Sequence, residues 1–159
     1  MSKQIFTVLE THEDITVFGL KRKSNDKTQS KDIPLISKEY YAIVAKKRGD
    51  VIPFFVISKD YNENTRDFSL FIGGLLKNEN LEKFTIPRGL FVKTTIKPKT
   101  GLFWGLLIGA AKRSFYTDWL PKSDYTGLNM EYEYHTEASI GKNPQIDILF
   151  AVKGTKNDD

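Results

Sequence analysis

The sequence predicts an α+β fold in which a strand–helix–strand–strand (βαββ) unit occurs twice. Two stretches, 33–47 and 101–119, carry apolar residues at the spacing of a helix face, and much of the remaining chain alternates apolar with polar residues, as half-buried strands do. Short polar turns separate successive strands, which favours antiparallel pairing. We therefore expect a mainly antiparallel, curved sheet with two main helices. Its two pseudo-symmetric halves span about 1–78 and 79–153, and a polar tail follows at 154–159.

The first half is predicted to hold one helix among its strands. Helix 33–47 can begin at Asp32, a good N-cap residue, with Pro34 in the first turn, where its missing N–H needs no partner. Gly49 is expected to end this helix, because glycine adopts the left-handed conformation easily. The strands predicted around it are 15–20, 52–57 and 68–73.

The second half repeats this order. Helix 101–119 can begin after Thr100, and Pro121 is expected to end it. Gly105 and Gly109, four residues apart in the helix, are expected to let a neighbouring backbone approach closely. The strands predicted in this half are 90–97, 130–135 and 146–151.

Length and composition exclude several classes of protein. A chain of 159 residues favours one domain. Since it has no cysteine and only two histidines, disulfide scaffolds, iron–sulfur clusters, thiol nucleophiles and multi-histidine metal sites are excluded, and we expect neither a metal nor a cofactor. No apolar run approaches the roughly 20 residues of a membrane span, and the first residues lack the apolar core of a signal peptide. We therefore expect a cytoplasmic protein with no membrane partner.

The charge is mildly positive and dispersed. The 24 basic and 20 acidic residues leave a net charge of +4. The basic clusters at 21–23, 46–48 and 112–113 lie near acidic residues or at the ends of elements. Because a nucleic-acid binder concentrates its positive charge on one face, this pattern favours solvated edges, and no direct nucleic-acid binding is expected.

The candidate chemistry lies in aromatic and acidic residues of the second half, since nucleophile-elbow, Walker and dinucleotide-binding motifs are absent. Aromatic residues make up 13% of the chain. They form either an ordinary core or the wall of a pocket that attracts cations. The candidates for such a wall are Trp104, Tyr116, Tyr132 and Tyr134.

Glu131 and Glu133 are two residues apart on a predicted strand, so their side chains share one face of the sheet. If that face meets solvent, they are ordinary surface residues. If it lines a cleft, a desolvated carboxylate there needs a cation or a hydrogen-bond donor, and a ligand can supply either.

Four segments resemble those of GyrI-like small-molecule-binding domains, also known as bacterial transcription-activator effector-binding domains. The most specific match is FYTDWLPKSDY at 115–125, which resembles the helix-end signature of the family. The shorter matches are FSLFIGG at 68–74, IPRGLF at 86–91 and YEYH at 132–135. Together the matches cover about 52–153, in the order that the family has.

The resemblance implies two tandem βαββ units with a central ligand cleft between them. It also implies a strand glutamate in the cleft that contacts cationic or polar aromatic compounds. That glutamate maps best to Glu133, with Glu131 as the second choice because the segment after Tyr125 is shorter than usual. Since the two units take up the whole chain, we expect a stand-alone small-molecule-binding protein that acts in AraC-type transcriptional regulation through a partner, or by sequestering its ligand.

Three alternatives stay open. Some GyrI-like proteins resemble hydrolases of reactive cyclopropane-type compounds, and Glu133 with Tyr116 or Tyr132 could supply a general base and a proton donor. Binding to a protein partner, as in gyrase inhibition by a family member, is the second. Haem binding, with His12 or His135 as the axial ligand, is the third.

Overall fold

The computed structural model describes residues 4–47, 50–97, 104–140 and 143–155. Its elements are β1 (Thr7–Thr11), β2 (Ile15–Asn25), α1 (Gln29–Val44), β3 (Phe54–Lys59), β4 (Asp67–Gly74), β5 (Glu82–Ile86), β6 (Gly89–Ile96), α2 (Trp104–Ser114), a π-helical turn (Phe115–Trp119), α3 (Leu120–Lys122), β7 (Tyr125–His135), a 3₁₀ turn (Glu137–Ser139) and β8 (Ile146–Thr155). None of the helices in these residues is long and apolar enough for a bilayer span.

The eight strands form one curved antiparallel sheet in the order β1-β6-β8-β7-β3-β4-β2-β5. This order is symmetric about the central pair β3–β7, since β2, β3 and β4 in the first half occupy the places of β6, β7 and β8 in the second. Val56 on β3 lies opposite Glu133 on β7 at this centre. The predicted α+β fold with a repeated βαββ order is confirmed.

The two outermost strands are exchanged between the halves. Strand β1 precedes β2 in the chain but pairs with β6, whereas β5 precedes β6 but pairs with β2. The turns that join these strands meet as well, because the Arg88 backbone N–H donates a 2.8 Å hydrogen bond to Oδ1 of Asp14. Each half therefore completes the sheet of the other.

The sheet separates three clusters of buried apolar side chains. On one face, α1 packs over β2 and β4, burying Ile36 and Tyr40. On the same face, α2 and the π-helical turn cover β6 and β8, burying Ala111 and Phe115. The opposite face carries a cluster contributed by the strands themselves, which includes Phe55, Phe71, Phe91 and Tyr132.

Helix α1 begins four residues before the predicted start. Thr28 is its N-cap, and Asp32 lies in the first turn, where its carboxylate accepts 2.8 Å hydrogen bonds from the hydroxyls of Thr28 and Ser24. A negative charge in the first turn still suits the helix dipole, which explains why an acidic residue marks this end. Ala45, in the left-handed conformation with φ 54°, ends the helix. Gly49 lies outside the described residues.

Helix α2 differs from the prediction in two ways. The expected close approach of a backbone at Gly105 and Gly109 is wrong, since no described atom outside the helix's own backbone and the neighbouring residues lies within 4 Å of a Cβ built at either position. Pro121 also does not end the helical segment, which continues through the π-helical turn to Lys122. The predicted cap Thr100 and residues 101–103 lie outside the described residues.

Strand β8 continues to Thr155 and therefore extends into the segment that was predicted to be a polar tail.

Candidate functional site

Glu131 and Glu133 lie on β7 at the centre of the sheet, on the face that carries the helices. Strand pairing places Glu133 between Val56 of β3 and Ile148 of β8, and it places Glu131 next to Phe150 of β8. Val56 belongs to the cluster under α1, whereas Ile148 and Phe150 belong to the cluster under α2. The two carboxylates therefore lie at the boundary between the two helix-covered cores.

Both carboxylates are largely withdrawn from water. Glu133 is only 7% exposed, and the side chain of Glu131 is 13% exposed. Burying an ionised carboxylate is costly unless a positive charge or hydrogen-bond donors compensate it. The contacts of these two side chains therefore decide what the site can hold.

Lys112 supplies the compensating charge. It lies in the last turn of α2, where a cation suits the helix dipole, and its Nζ is 3.3 Å from Oε2 of Glu131 and 4.0 Å from Oε2 of Glu133. Burial by itself would lower the pKa of Lys112, but the charges of Glu131 and Glu133 outweigh burial and raise this pKa above its ordinary value. The ammonium group is therefore charged at neutral pH.

His135 is the second partner of Glu133. Its Nε2 lies 3.4 Å from Oε1 of Glu133. Burial would raise the pKa of Glu133, but the hydrogen bond from His135 and the charge of Lys112 together hold this pKa below its ordinary value. The His135 ring meets Phe54 edge to face at 5.8 Å, and Phe54 in turn lies 5.6 Å from the ring of Tyr41 on α1.

Tyr116 contacts Glu131 from the other side. Its hydroxyl donates a 3.2 Å hydrogen bond to Oε1 of Glu131, and its ring meets Phe150 edge to face at 5.5 Å. Burial and the neighbouring carboxylate raise the pKa of Tyr116, so its hydroxyl is a weaker acid than an ordinary tyrosine. Oε2 of Glu131 is buried and accepts no hydrogen bond from any described residue, although it faces Lys112.

The cluster of Glu131, Glu133 and Lys112 carries a formal charge of −1, from two carboxylates and one ammonium group, when the neighbouring His135 is neutral. We call it the carboxylate cluster. Aromatic rings lie on both sides of it: Tyr116 contacts Glu131, and Phe54 contacts His135, the partner of Glu133. A residual negative charge beside aromatic rings is an arrangement that suits a cation with an apolar body.

The structure brings three of the residues singled out from the sequence together: Glu131, Glu133 and Tyr116. Tyr132 and Tyr134 lie on the opposite face of the sheet, where their rings are 5.8 and 5.2 Å from that of Phe55. This follows from the alternation of side chains along a strand, which separates neighbouring residues onto two faces. Trp104 begins α2, but its side chain lies outside the described part of the structure.

These placements also bear on the hydrolase alternative. Tyr132 is separated from Glu133 by the sheet, and the Tyr116 hydroxyl contacts Glu131. Since the pKa of Tyr116 is raised, its hydroxyl is a poor source of the proton that this alternative needs.

Sequence reasoning did not identify Lys112 as a partner of Glu131 and Glu133, or His135 as a partner of Glu133. One signal for Lys112 was present, because it precedes Tyr116 by four residues and therefore shares a helix face with it. The contact between that face and β7 depends on how the helix crosses the sheet, which residue spacing does not encode.

Two surface cavities lie away from the carboxylate cluster. The larger, about 560 Å³, is lined by charged and polar residues of β2 and β4, including Lys21, Lys23 and Asp67. The smaller, about 290 Å³, lies beside Phe6 and Trp119. Neither is lined by Glu131 or Glu133, whose carboxylates contact Lys112 and Tyr116 instead.

Comparison with known proteins shows a likeness in structure. No family model and no curated protein matches the sequence. The fold is similar to that of an integron cassette protein from Vibrio cholerae, with a TM-score of 0.68 and 14% identity, covering 93% of this chain and 95% of that one. A putative bacterial transcription regulation protein from Staphylococcus aureus MU50 follows, with a TM-score of 0.66, 11% identity and coverage of 96% and 99%.

A third similar structure is that of SAV2435 bound to tetraphenylphosphonium, with a TM-score of 0.64 and 12% identity over 96% of this chain and 95% of that one. At these identities the likeness shows the fold alone. The chain thus shares its architecture, over nearly its whole length, with a putative transcription regulator and with a protein that holds an aromatic cation.

Proposed function

We propose that this chain is a GyrI-like small-molecule-binding domain whose ligand is an aromatic monocation held at the carboxylate cluster. The observation that carries the proposal is the pair of largely buried glutamates with a single ammonium group between them, which leaves one negative charge without a cation when His135 is neutral. The family resemblance of 115–125 and the structural likeness to SAV2435 bound to tetraphenylphosphonium support the same class of ligand.

The physical reason for a preference for cations is desolvation. A carboxylate held away from water has already lost most of its hydration, so a cation that reaches it restores a favourable interaction. An exposed ion pair contributes only about 0.2–1 kcal/mol, because water competes for both charges. The partly exposed ring of Tyr116, next to Glu131, offers apolar area and a π face to the body of such a ligand.

The role that fits this ligand class is that of an effector-binding protein in the bacterial cytoplasm. In this proposal the chain senses an organic cation for a separate DNA-binding partner, or it lowers the free concentration of that cation. The likeness to a putative bacterial transcription regulation protein supports the first of these roles.

Isothermal titration calorimetry tests the proposal with two probes of nearly equal shape, the cation tetraphenylphosphonium and the anion tetraphenylborate. We expect the wild-type protein to bind the cation and not the anion. Glu131→Gln or Glu133→Gln should weaken cation binding by about tenfold or more, which corresponds to about 1.4 kcal/mol. Glu10→Gln is the matched control, since Glu10 is an exposed strand glutamate on β1.

Two results would contradict the proposal. One is equal binding of the cation by the wild type, Glu131→Gln and Glu133→Gln. The other is preferential binding of tetraphenylborate, which a site with a residual negative charge should reject.

A further inference from the structure

We propose that Lys112 is a built-in counter-ion that sets the number of positive charges on the ligand, so that the site accepts monocations and rejects dications. This inference rests on the proposed function, since it concerns the ligand of the carboxylate cluster. It assigns to Lys112 the role of a specificity-determining residue.

The geometry around Lys112 is that of a shared charge. Its Nζ lies 3.3 Å from Glu131 and 4.0 Å from Glu133, so neither carboxylate holds it at the distance of a short charge-assisted hydrogen bond. The exposed pair of Lys122 and Asp118 provides a contrast, with a distance of 2.7 Å. Lys112 therefore offsets half of the negative charge of the two carboxylates without forming a short charge-assisted hydrogen bond to either of them.

The charge count then determines which ligand fits. With Lys112 present and His135 neutral, one further positive charge makes the cluster neutral, whereas two leave an excess positive charge in a largely buried site. Placing like charges together without water is strongly unfavourable, and natural binding sites use such repulsion to reject competitors. Without Lys112, a ligand needs two positive charges to neutralise the two carboxylates.

The ligand does not need to expel Lys112 to reach the carboxylates. The Lys112 side chain is 21% exposed, and Tyr116, beside Glu131, is 38% exposed, so the cluster meets solvent on the α2 side. The lysine stem is flexible and its ammonium group prefers water, so it can move aside while it keeps its charge near the site. A bound monocation then lies next to Tyr116, with Lys112 as its neighbour.

A set of four proteins separates charge from volume. The formal charge of the cluster is −1 in the wild type, −2 in Lys112→Met, 0 in Glu131→Gln and −1 in the double variant Lys112→Met/Glu131→Gln. The probes are 1-methyl-4-phenylpyridinium, a monocation, and methyl viologen, a dication of nearly the same size. Calorimetry gives the ratio of the two affinities for each protein.

We expect Lys112→Met to shift this ratio towards the dication by about tenfold or more, because one unit charge has been removed from a poorly solvated site. The double variant should return the ratio to that of the wild type, although its lysine is absent. Lys122→Met removes an exposed lysine of the same helical segment, and it should leave the ratio unchanged.

The outcomes distinguish this inference from the proposed function. If the wild type binds the monocation through Glu131 but Lys112→Met leaves the ratio unchanged, the inference is overturned and the proposed function stands. If Lys112→Met and the double variant shift the ratio equally, Lys112 acts by volume and the inference is also overturned. If the wild type binds neither of these probes and does not bind tetraphenylphosphonium, the proposed function fails and the inference fails with it.

Lys112→Met leaves two carboxylates without a cation and can fail to fold for that reason. In that case the affinities of the double variant and Glu131→Gln for the monocation still test the inference. The double variant, at −1, should then bind the monocation at least tenfold more tightly than Glu131→Gln, at 0. Equal affinities of these two proteins would overturn the inference.

Discussion

Neighbouring side chains stabilise the charged form of Glu133. The side chain is buried, yet His135 and Lys112 together hold its pKa below the ordinary value of 4.5. A carboxylate whose pKa is lowered on folding stabilises the fold at every pH above its value in the unfolded chain, and this contribution is lost as the pH falls through the lowered value.

We therefore expect Glu133→Gln to lower the free energy of unfolding at pH 7 and to flatten its decline between about pH 5 and pH 3. The raised pKa of Lys112 affects only the alkaline end, because its contribution is lost when the pH rises through a value above 10.5. Urea unfolding at a series of pH values measures the effect, with Glu10→Gln as the exposed control. Parallel pH profiles for the wild type and Glu133→Gln would contradict the lowered pKa.

At the scale of single residues, the two-residue period of a strand correctly predicted that the two glutamate side chains share a face. Glu131 and Glu133 share a face because strand side chains repeat every two residues, and the structure confirms this. The same rule places Tyr132 and Tyr134 on the other face, so their nearness in sequence did not mean nearness in space. Lys112 joins the glutamates through a contact between α2 and β7, and such a long-range contact leaves no local pattern.

At the scale of elements, α2 is divided between an exposed and a buried part. Its first residues include the exposed Leu106, whereas Ala111 and, in the following π-helical turn, Phe115 are buried against the sheet. A Cβ built on Gly105 or Gly109 meets no described atom within 4 Å outside the helix's own backbone and the neighbouring residues. The close approach of backbones occurs instead between β2 and β4, where Gly19 lies opposite Gly73.

A matched pair of glycine substitutions tests this difference. A Cβ built on Gly73 lies 2.1 Å from the carbonyl oxygen of Phe18, so Gly73→Ala forces the backbone to shift and should destabilise the protein by more than about 1 kcal/mol. Gly109→Ala meets no described atom within 4 Å and should stabilise it by up to about 1 kcal/mol, because alanine favours the helix. Urea melts give both values, and a loss of stability in Gly109→Ala would show that this glycine is packed.

The elements that the sequence did not predict are the short ones. Strands β1 and β5 have five residues each and lie at the edges of the sheet, and runs of that length carry too little periodicity to stand out. The start of α1 was placed late because Asp32 has the chemistry of a cap. Its carboxylate does accept hydroxyl hydrogen bonds, but it does so from within the first turn.

At the scale of the whole molecule, the repeated order of elements was predictable, since each helix and its strands have their own local pattern. The exchange of β1 and β5 was not predictable, because the residue pattern of a strand does not specify which strand it pairs with. The boundary between the halves near residue 78 stays a prediction. The segment 75–81 that contains it joins β4 to β5, and Leu75, Leu76 and Lys77 are exposed there.

We expect two separately expressed fragments, 1–78 and 79–159, to assemble into a complex of one copy each. The ladders β1–β6, β5–β2 and β3–β7 all join one fragment to the other, so three sets of backbone hydrogen bonds hold the complex. Size-exclusion chromatography and circular dichroism of the mixture against each fragment alone measure assembly. Fragments that fold singly, or that elute apart after mixing, would contradict it.

The exchanged edge strands also determine how the protein should respond to proteolytic cleavage between its halves. A protease that nicks the exposed connection between the halves severs a covalent bond but none of the three ladders that cross between them. The nicked molecule should keep its carboxylate cluster, since Lys112, Glu131 and Glu133 all belong to the second fragment while Tyr41 and Phe54 are held in place by the first. We therefore expect the nicked chain to behave as an obligate heterodimer of its two fragments.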